Sequence, residues 1–112
     1  LMATYYATKS YVFNLTMAMY EELRRMKSKV KVFVLCPGPV DTGFNQRANV
    51  KFSLKSLTSD EVVNYTLKCI KKNKTIIVPG IKIKLGLLGT RFVSKKLTAR
   101  IAYNIQNKKI SK

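Results

Sequence analysis

Residues 30–42 of the 112-residue chain read VKVFVLCPGPVDT. Its first seven residues are nearly all apolar and rich in β-branched side chains. Such a run predicts a short strand buried on both faces, as in a parallel sheet. The Pro37-Gly38-Pro39 sequence then ends the strand sharply. Residues 40–57 are polar and are predicted to be a loop. Because the strand before this loop is of the buried kind, the chain is expected to be built on a parallel sheet.

A long amphipathic helix is predicted before this strand, over residues 8–28. Its apolar residues recur at spacings of three and four positions, which places them on one face. They are Val12, Leu15, Met19, Leu23 and Met26.

Further elements follow the loop. Residues 58–61 (TSDE) combine capping side chains with acids, which predicts the start of a helix that runs to about Lys72. Its predicted inward side chains are Val62, Val63, Thr66, Leu67 and Ile70. Residues 75–78 (TIIV) predict a second strand, and strand–helix–strand order predicts that the two strands are parallel. Residues 84–106 predict one or two more helices with an apolar side formed by Leu85, Leu88, Phe92, Leu97, Ile101 and Ile105.

The positive charge is concentrated in the second half of the chain. The whole sequence has 22 Lys+Arg and 5 Asp+Glu, for a formal charge of +17, and residues 62–112 hold thirteen of the basic residues and no acid. Such a field attracts nucleic acid, acidic lipid headgroups or phosphate-bearing ligands, although a solvated basic face is the simpler alternative. Six basic residues flank an apolar stripe, namely Lys82, Lys84, Arg91, Lys95, Lys96 and Arg100.

That pattern is typical of a basic amphipathic region that binds an anionic membrane or a protein partner, and it provides the alternative function. Nucleic-acid binding is disfavoured, because the basic residues do not alternate with aromatic residues that could stack on bases.

Composition excludes several kinds of site. Histidine is absent, which excludes catalytic triads, metal ligands and proton shuttles based on it. Cys36 and Cys69 are far apart in sequence, so neither a disulfide scaffold nor a cysteine zinc site is expected, and no metal is expected. The chain has neither an apolar run of about 20 residues nor a signal-peptide pattern. A cytoplasmic location is expected, with peripheral membrane contact as the alternative.

Tyr5 and Lys9 lie four positions apart at the start of the first predicted helix, on one face and one turn from each other. A tyrosine is a poor base near neutral pH, but an ammonium group nearby favours the phenolate form. Such a pair can move a proton to or from an alcohol or carbonyl oxygen.

The order of these motifs resembles the C-terminal half of the short-chain dehydrogenase/reductase family. There a Tyr-x-x-x-Lys pair opens a long helix, and the following strand ends in Pro-Gly-x-Val-x-Thr. Tyr5 and Lys9 match the pair. The second motif is matched by Pro37, Gly38, Val40 and Thr42. The likeness is strongest over residues 1 to about 45.

The resemblance implies an NAD(P)-dependent oxidoreductase that reduces carbonyls or oxidises alcohols, with NADP slightly favoured over NAD. Tyr5 would be the general acid/base, and Lys9 would assist it and bind the nicotinamide ribose. Backbone groups near Pro37, Gly38 and Val40 would line the nicotinamide, and Thr42 would contact its carboxamide or the pyrophosphate. Phe44, Phe52 and Leu54 either indicate an apolar substrate or serve only for packing. The first helix would form a homo-oligomer interface, although its apolar stripe suits the core equally well.

The resemblance also implies that residues 1–112 are a C-terminal fragment of one Rossmann-like α/β domain, an incomplete doubly wound parallel sheet with a basic helical tail at about 84–112. The Gly-rich turn that binds the pyrophosphate is not among these residues, and neither is the family's active-site Ser. The fragment alone is therefore expected to be inactive.

Overall fold

The computed structural model describes residues 3–42 and 56–110. The described part is mostly helical, with four strands of two residues each. In chain order the elements are α1 (Ala3–Arg25), β1 (Val34–Leu35), β2 (Val40–Asp41), β3 (Leu57–Thr58), α2 (Ser59–Lys71), β4 (Ile76–Ile77), α3 (Ile81–Thr90) and α4 (Lys95–Ile110).

Strands β1 and β4 form a parallel pair, as strand–helix–strand order predicts. Val34 pairs with Ile76 and Leu35 with Ile77. The amides of Val34 and Cys36 donate to the carbonyl oxygens of Thr75 and Ile77, each at 2.8 Å. The ladder extends no further among the described residues, so β1 is much shorter than the predicted strand over 30–36.

A second parallel pair joins β2 to β3, with Val40 opposite Leu57 and Asp41 opposite Thr58. The prediction of a loop over 40–57 is therefore wrong at both ends of that range. A two-residue strand is too short to produce an alternating pattern, which is why the sequence carries no signal for it. The two described sheets have two strands each, and a doubly wound Rossmann-like sheet stays a prediction.

Helix α1 begins and ends earlier than the predicted range of 8–28. Its C-terminus is a Schellman motif. The amide of Ser28 donates to the carbonyl oxygen of Leu23 at 3.0 Å, and the amide of Lys27 donates to the carbonyl oxygen of Arg24 at 3.1 Å. Lys27 takes the left-handed conformation, with φ of 52°. Glycine usually occupies this position, so a lysine there hides the helix end from sequence reasoning.

Helix α2 has the N-terminus that its sequence predicts. The side chain of Thr58 accepts from the amide of Glu61 at 3.2 Å, and the Glu61 carboxylate accepts from the amide of Thr58 at 2.8 Å. These reciprocal bonds form a capping box. The helix ends in a second Schellman motif, with Asn73 at φ of 53°.

The basic C-terminal region contains two helices. Gly80 turns the chain from β4 into α3. Its φ of 90° is a backbone conformation that residues other than glycine rarely adopt. The α3 helix ends near Arg91. The Ser94 hydroxyl caps α4 by accepting from the amide of Leu97 at 3.3 Å, and the Ser94 carbonyl accepts from the amide of Thr98 at 3.0 Å. No described helix has the length and apolarity needed to cross a bilayer.

The buried core of the described residues is small. It comprises Val34, Ile77, Val62 and Cys69, together with Pro79. Leu35 and Ile76 are 42% and 45% exposed, so each strand of the first pair buries one face. The prediction that the strand over 30–36 is buried on both faces is therefore wrong. Val63 and Leu67, predicted to point inward, are also exposed. Large apolar areas of both sheet and helices are thus open to solvent.

Candidate active site

Tyr5 and Lys9 meet on one face of α1. The Lys9 Nζ atom lies 5.6 Å from the centroid of the Tyr5 ring, within the range of a cation–π contact. The Tyr6 ring packs edge-on against Tyr5, with centroids 6.0 Å apart and planes at 72°. Tyr5 remains 47% exposed, so its phenol can reach a substrate. The hydroxyl of Thr8 donates to the Tyr5 carbonyl at 2.9 Å, a bond within the same helix turn.

A shallow groove of about 210 Å³ lies where the chain leaves β1 and β4. We call it the strand-end groove. Gly38 and Gly80, which follow the two strands, both line it. Its other lining residues are Pro39, Leu57, Ile81, Lys82 and Ile83. The carboxyl ends of adjacent parallel strands are where ligands bind in open α/β sheets, so the groove has the position expected of a binding site.

Gly38 is needed for close packing in this groove. A methyl group on Gly38 would lie 2.8 Å from Ile83 Cγ1 and 2.9 Å from Ile83 Cδ1. The α3 helix therefore approaches the bend after β1 through the space that a side chain would fill. This packing accounts for the glycine without any ligand.

The other predicted site residues lie along the same bend. Pro37 is exposed, Val40 is half-buried in the β2–β3 pair, and Thr42 is exposed just after β2. The structure thus brings Lys9 to Tyr5 and Gly38 to Gly80, as two clusters. That both clusters face one substrate stays a prediction. Phe44, Phe52 and Leu54, the residues that predict an apolar substrate, lie outside the described residues.

Thiol chemistry has no support at this site. Cys36 and Cys69 are both free, and Cys69 is buried. Burial raises the pKa of the Cys36 thiol, so it remains protonated and a weak nucleophile near neutral pH. Within residues 3–42 and 56–110, no group of three or more Cys, Asp and Glu side chains could hold a metal ion.

A second groove, of about 320 Å³, was not predicted from the sequence. It lies between the C-terminal half of α1 and the segment that leads into β1. Two cations that line it are engaged within the chain, since Arg24 binds Glu21 and Lys31 Nζ donates to Asn73 Oδ1 at 2.7 Å. Its lining comes from three separate segments, so no local motif could reveal it. The end of α1 thus lies across this groove from residues 30–33 and Thr75.

Comparisons with known proteins give no family assignment: no family model, no curated protein and no solved structure matches this chain.

Proposed function

We propose that this chain carries the acid/base pair and part of the nicotinamide site of an NAD(P)-dependent oxidoreductase that interconverts carbonyls and alcohols. The observation that carries the proposal is the Lys9 ammonium held 5.6 Å from the ring of Tyr5 on one exposed helix face. The order of the Tyr5–Lys9 pair and the Pro37–Thr42 motif supports it, because both match the short-chain dehydrogenase/reductase pattern.

The proposed reaction requires proton exchange between the phenol of Tyr5 and the substrate oxygen. In reduction, the Tyr5 hydroxyl donates its proton as negative charge develops on the carbonyl oxygen. The Lys9 ammonium stabilises the charge that this transfer leaves on the phenol oxygen. In oxidation, the same oxygen accepts the proton of the alcohol. The bound nicotinamide would supply or accept the hydride.

The strand-end groove fits one end of such a cofactor. Backbone groups at Gly38 and Gly80 line it, and most of its lining is apolar, as suits a planar ring. Ligand sites commonly reach about 300–1,000 Å³, so a groove of about 210 Å³ takes the nicotinamide end and not a whole dinucleotide. A Gly-rich turn for the pyrophosphate is not found in the 112 residues, so the proposal requires a further segment to supply it.

The path of the chain is consistent with a single site that contains both the Tyr5–Lys9 pair and the strand-end groove. An α-helix that leads through a short connection into a strand usually packs beside it and runs in the opposite direction. The groove between residues 20–24 and 30–33 places the end of α1 near the start of β1. The first turns of α1, with Tyr5, would then lie toward the carboxyl end of β1, where Gly38 is found.

Three further features belong to the proposed enzyme. The apolar face of α1 is open, with Val12, Leu15 and Met19 all more than two-fifths exposed, which supports a homo-oligomer interface there. The high positive charge favours NADP over NAD, because NADP carries an additional phosphate. The substrate is proposed to be a small apolar carbonyl or alcohol compound, on the basis of Phe44, Phe52 and Leu54 in the sequence alone.

Turnover of paired tyrosine variants tests this function, measured with NADPH and NADH in the protein that includes the pyrophosphate-binding segment. Tyr5→Phe should lower kcat about 100-fold or more with little change in cofactor affinity, since general acid/base catalysis contributes roughly 10²–10⁴-fold. Tyr6→Phe, which removes the neighbouring hydroxyl, is the matched control and should keep most of the activity. Equal activity in the two variants would remove Tyr5 from its role.

A further inference from the structure

We propose that α3, α4 and the turn between them form a membrane-docking surface that binds anionic lipid bilayers. The residues that carry it do not belong to the Tyr5–Lys9 pair or the Pro37–Thr42 motif, although Ile81 and Lys82 also line the strand-end groove. The partner is the surface of a bilayer that contains acidic phospholipids. An anionic bilayer is favoured as the partner by an apolar stripe on each helix and by basic residues in a stretch of sequence that contains no acid.

Helix α3 exposes a continuous apolar stripe. Ile81, Leu85 and Leu88 follow one another at spacings of four and three, so they lie on one face, and they are 76%, 64% and 50% exposed. Ile83 lies about half a turn away and packs against Gly38. The helix therefore contacts the rest of the chain through the side that carries Ile83. The apolar stripe stays exposed and can insert into the acyl region of a bilayer.

Helix α4 repeats the arrangement with a polar opposite side. Leu97, Ile101 and Ile105 recur at spacings of four and are each about half exposed. Lys95, Lys96 and Arg100 are exposed around the remainder of the helix. An apolar stripe bordered by cations is the pattern of helices that lie in the interface of an anionic bilayer.

The turn between the helices carries the most exposed large apolar side chain among the described residues. Phe92 is 85% exposed, follows Arg91 and lies between the ends of the two stripes. An aromatic ring at a protruding turn is costly to leave in water, and insertion among acyl chains removes that cost.

Electrostatics select the sign of the lipid. Six basic residues occur between positions 81 and 100, and residues 62–112 contain no acid. One of the six, Lys84, donates to the Tyr65 hydroxyl and lies 5.0 Å from the Tyr65 ring centroid, so the other five carry the argument. Each Lys or Arg at the surface of an acidic bilayer contributes roughly fivefold to binding. Nucleic acid would satisfy the charges but leave the aliphatic stripes in water, since it binds through cations and stacked aromatic rings.

Co-sedimentation of the 112-residue chain with vesicles is the first test. The chain should bind vesicles of phosphatidylcholine with about a third phosphatidylserine, and phosphatidylcholine vesicles should bind at least tenfold more weakly. Replacing both Lys95 and Lys96 with Glu should lower binding at least tenfold. The matched control replaces the exposed Lys27 and Lys29 of the first half with Glu, an equal charge change, and should lower binding far less.

Tryptophan fluorescence supplies a second measurement, because the chain has no tryptophan. Phe92→Trp should show a blue-shifted emission on addition of the phosphatidylserine vesicles, and Tyr11→Trp, at an exposed position on α1, should show none. The proposal is overturned if the two charge variants lose binding equally, or if neither tryptophan shifts. It is also overturned if a single-stranded oligonucleotide binds more tightly than the vesicles and blue-shifts the Phe92→Trp emission instead.

Discussion

Replacing Gly38 by alanine measures how closely α3 approaches the bend after β1. The new methyl carbon would lie 2.8 and 2.9 Å from two carbons of Ile83, whereas carbons in contact lie about 3.5–4.0 Å apart. Overpacking of this kind costs about 1–3 kcal/mol. Alanine also restricts the unfolded chain, which returns about 0.4–1 kcal/mol where the backbone conformation allows it. We expect Gly38→Ala to lower the free energy of unfolding by about 0.5–2 kcal/mol.

The assay is urea unfolding followed by far-ultraviolet circular dichroism. Gly86→Ala is the matched control, because Gly86 lies inside α3 with nothing within 4 Å of the added carbon. That change should raise the free energy of unfolding by about 0.5–1 kcal/mol. In an Ile83→Ala background the two contacting carbons are gone, so Gly38→Ala should there become neutral or stabilising. An equal cost of Gly38→Ala in both backgrounds would refute the contact.

Three other predictions concern the N-terminal cap of α2, the stability of the fold at acid pH and the binding of the cofactor. Thr58→Ala should cost about 1 kcal/mol in urea unfolding by removing the capping box, and Thr58→Ser should cost much less. Arg24 and Arg25 lower the pKa of Glu21 to about 2, so this ion pair stabilises the fold above about pH 4.5 and is lost as the pH falls toward 2. Carbon-detected NMR titration should show the Glu21 pKa rising in Arg24→Gln, and an unchanged value would contradict the pairing. Isothermal titration of the 112-residue chain with NADPH and NADH should show no micromolar binding, because no Gly-rich turn is present; micromolar binding would contradict this prediction.

Local signals in the sequence predict the elements that depend on local chemistry. The capping residues of 58–61 locate the start of α2 closely, and the helix, predicted to run to about Lys72, ends at Lys71. The parallel pairing of Val34 with Ile76 follows from chain order. Lys27 shows where local rules fail, because a lysine in the left-handed position gives no warning that α1 ends.

Features that depend on distant contacts are not readable from the sequence. The β2–β3 pair joins residues separated by a long segment, and the groove beside α1 draws on three segments. Burial was misjudged for Leu35 and Val63, since a pattern shows which side chains are apolar and not whether anything covers them. For the candidate site, the spacing of four predicts that Tyr5 and Lys9 share a face, whereas the role of Gly38 in packing against Ile83 carries no local signal.

The most direct test of the proposed site asks whether one ligand touches both clusters at once. Transferred nuclear Overhauser effects suit the weak binding expected of the 112-residue chain with millimolar NADP. The nicotinamide protons should show effects to the Tyr5 ring and to the α-protons of Gly38, and none to Tyr11 farther along α1. Effects to Gly38 without Tyr5, or to neither residue, would contradict the placement of the phenol beside the nicotinamide.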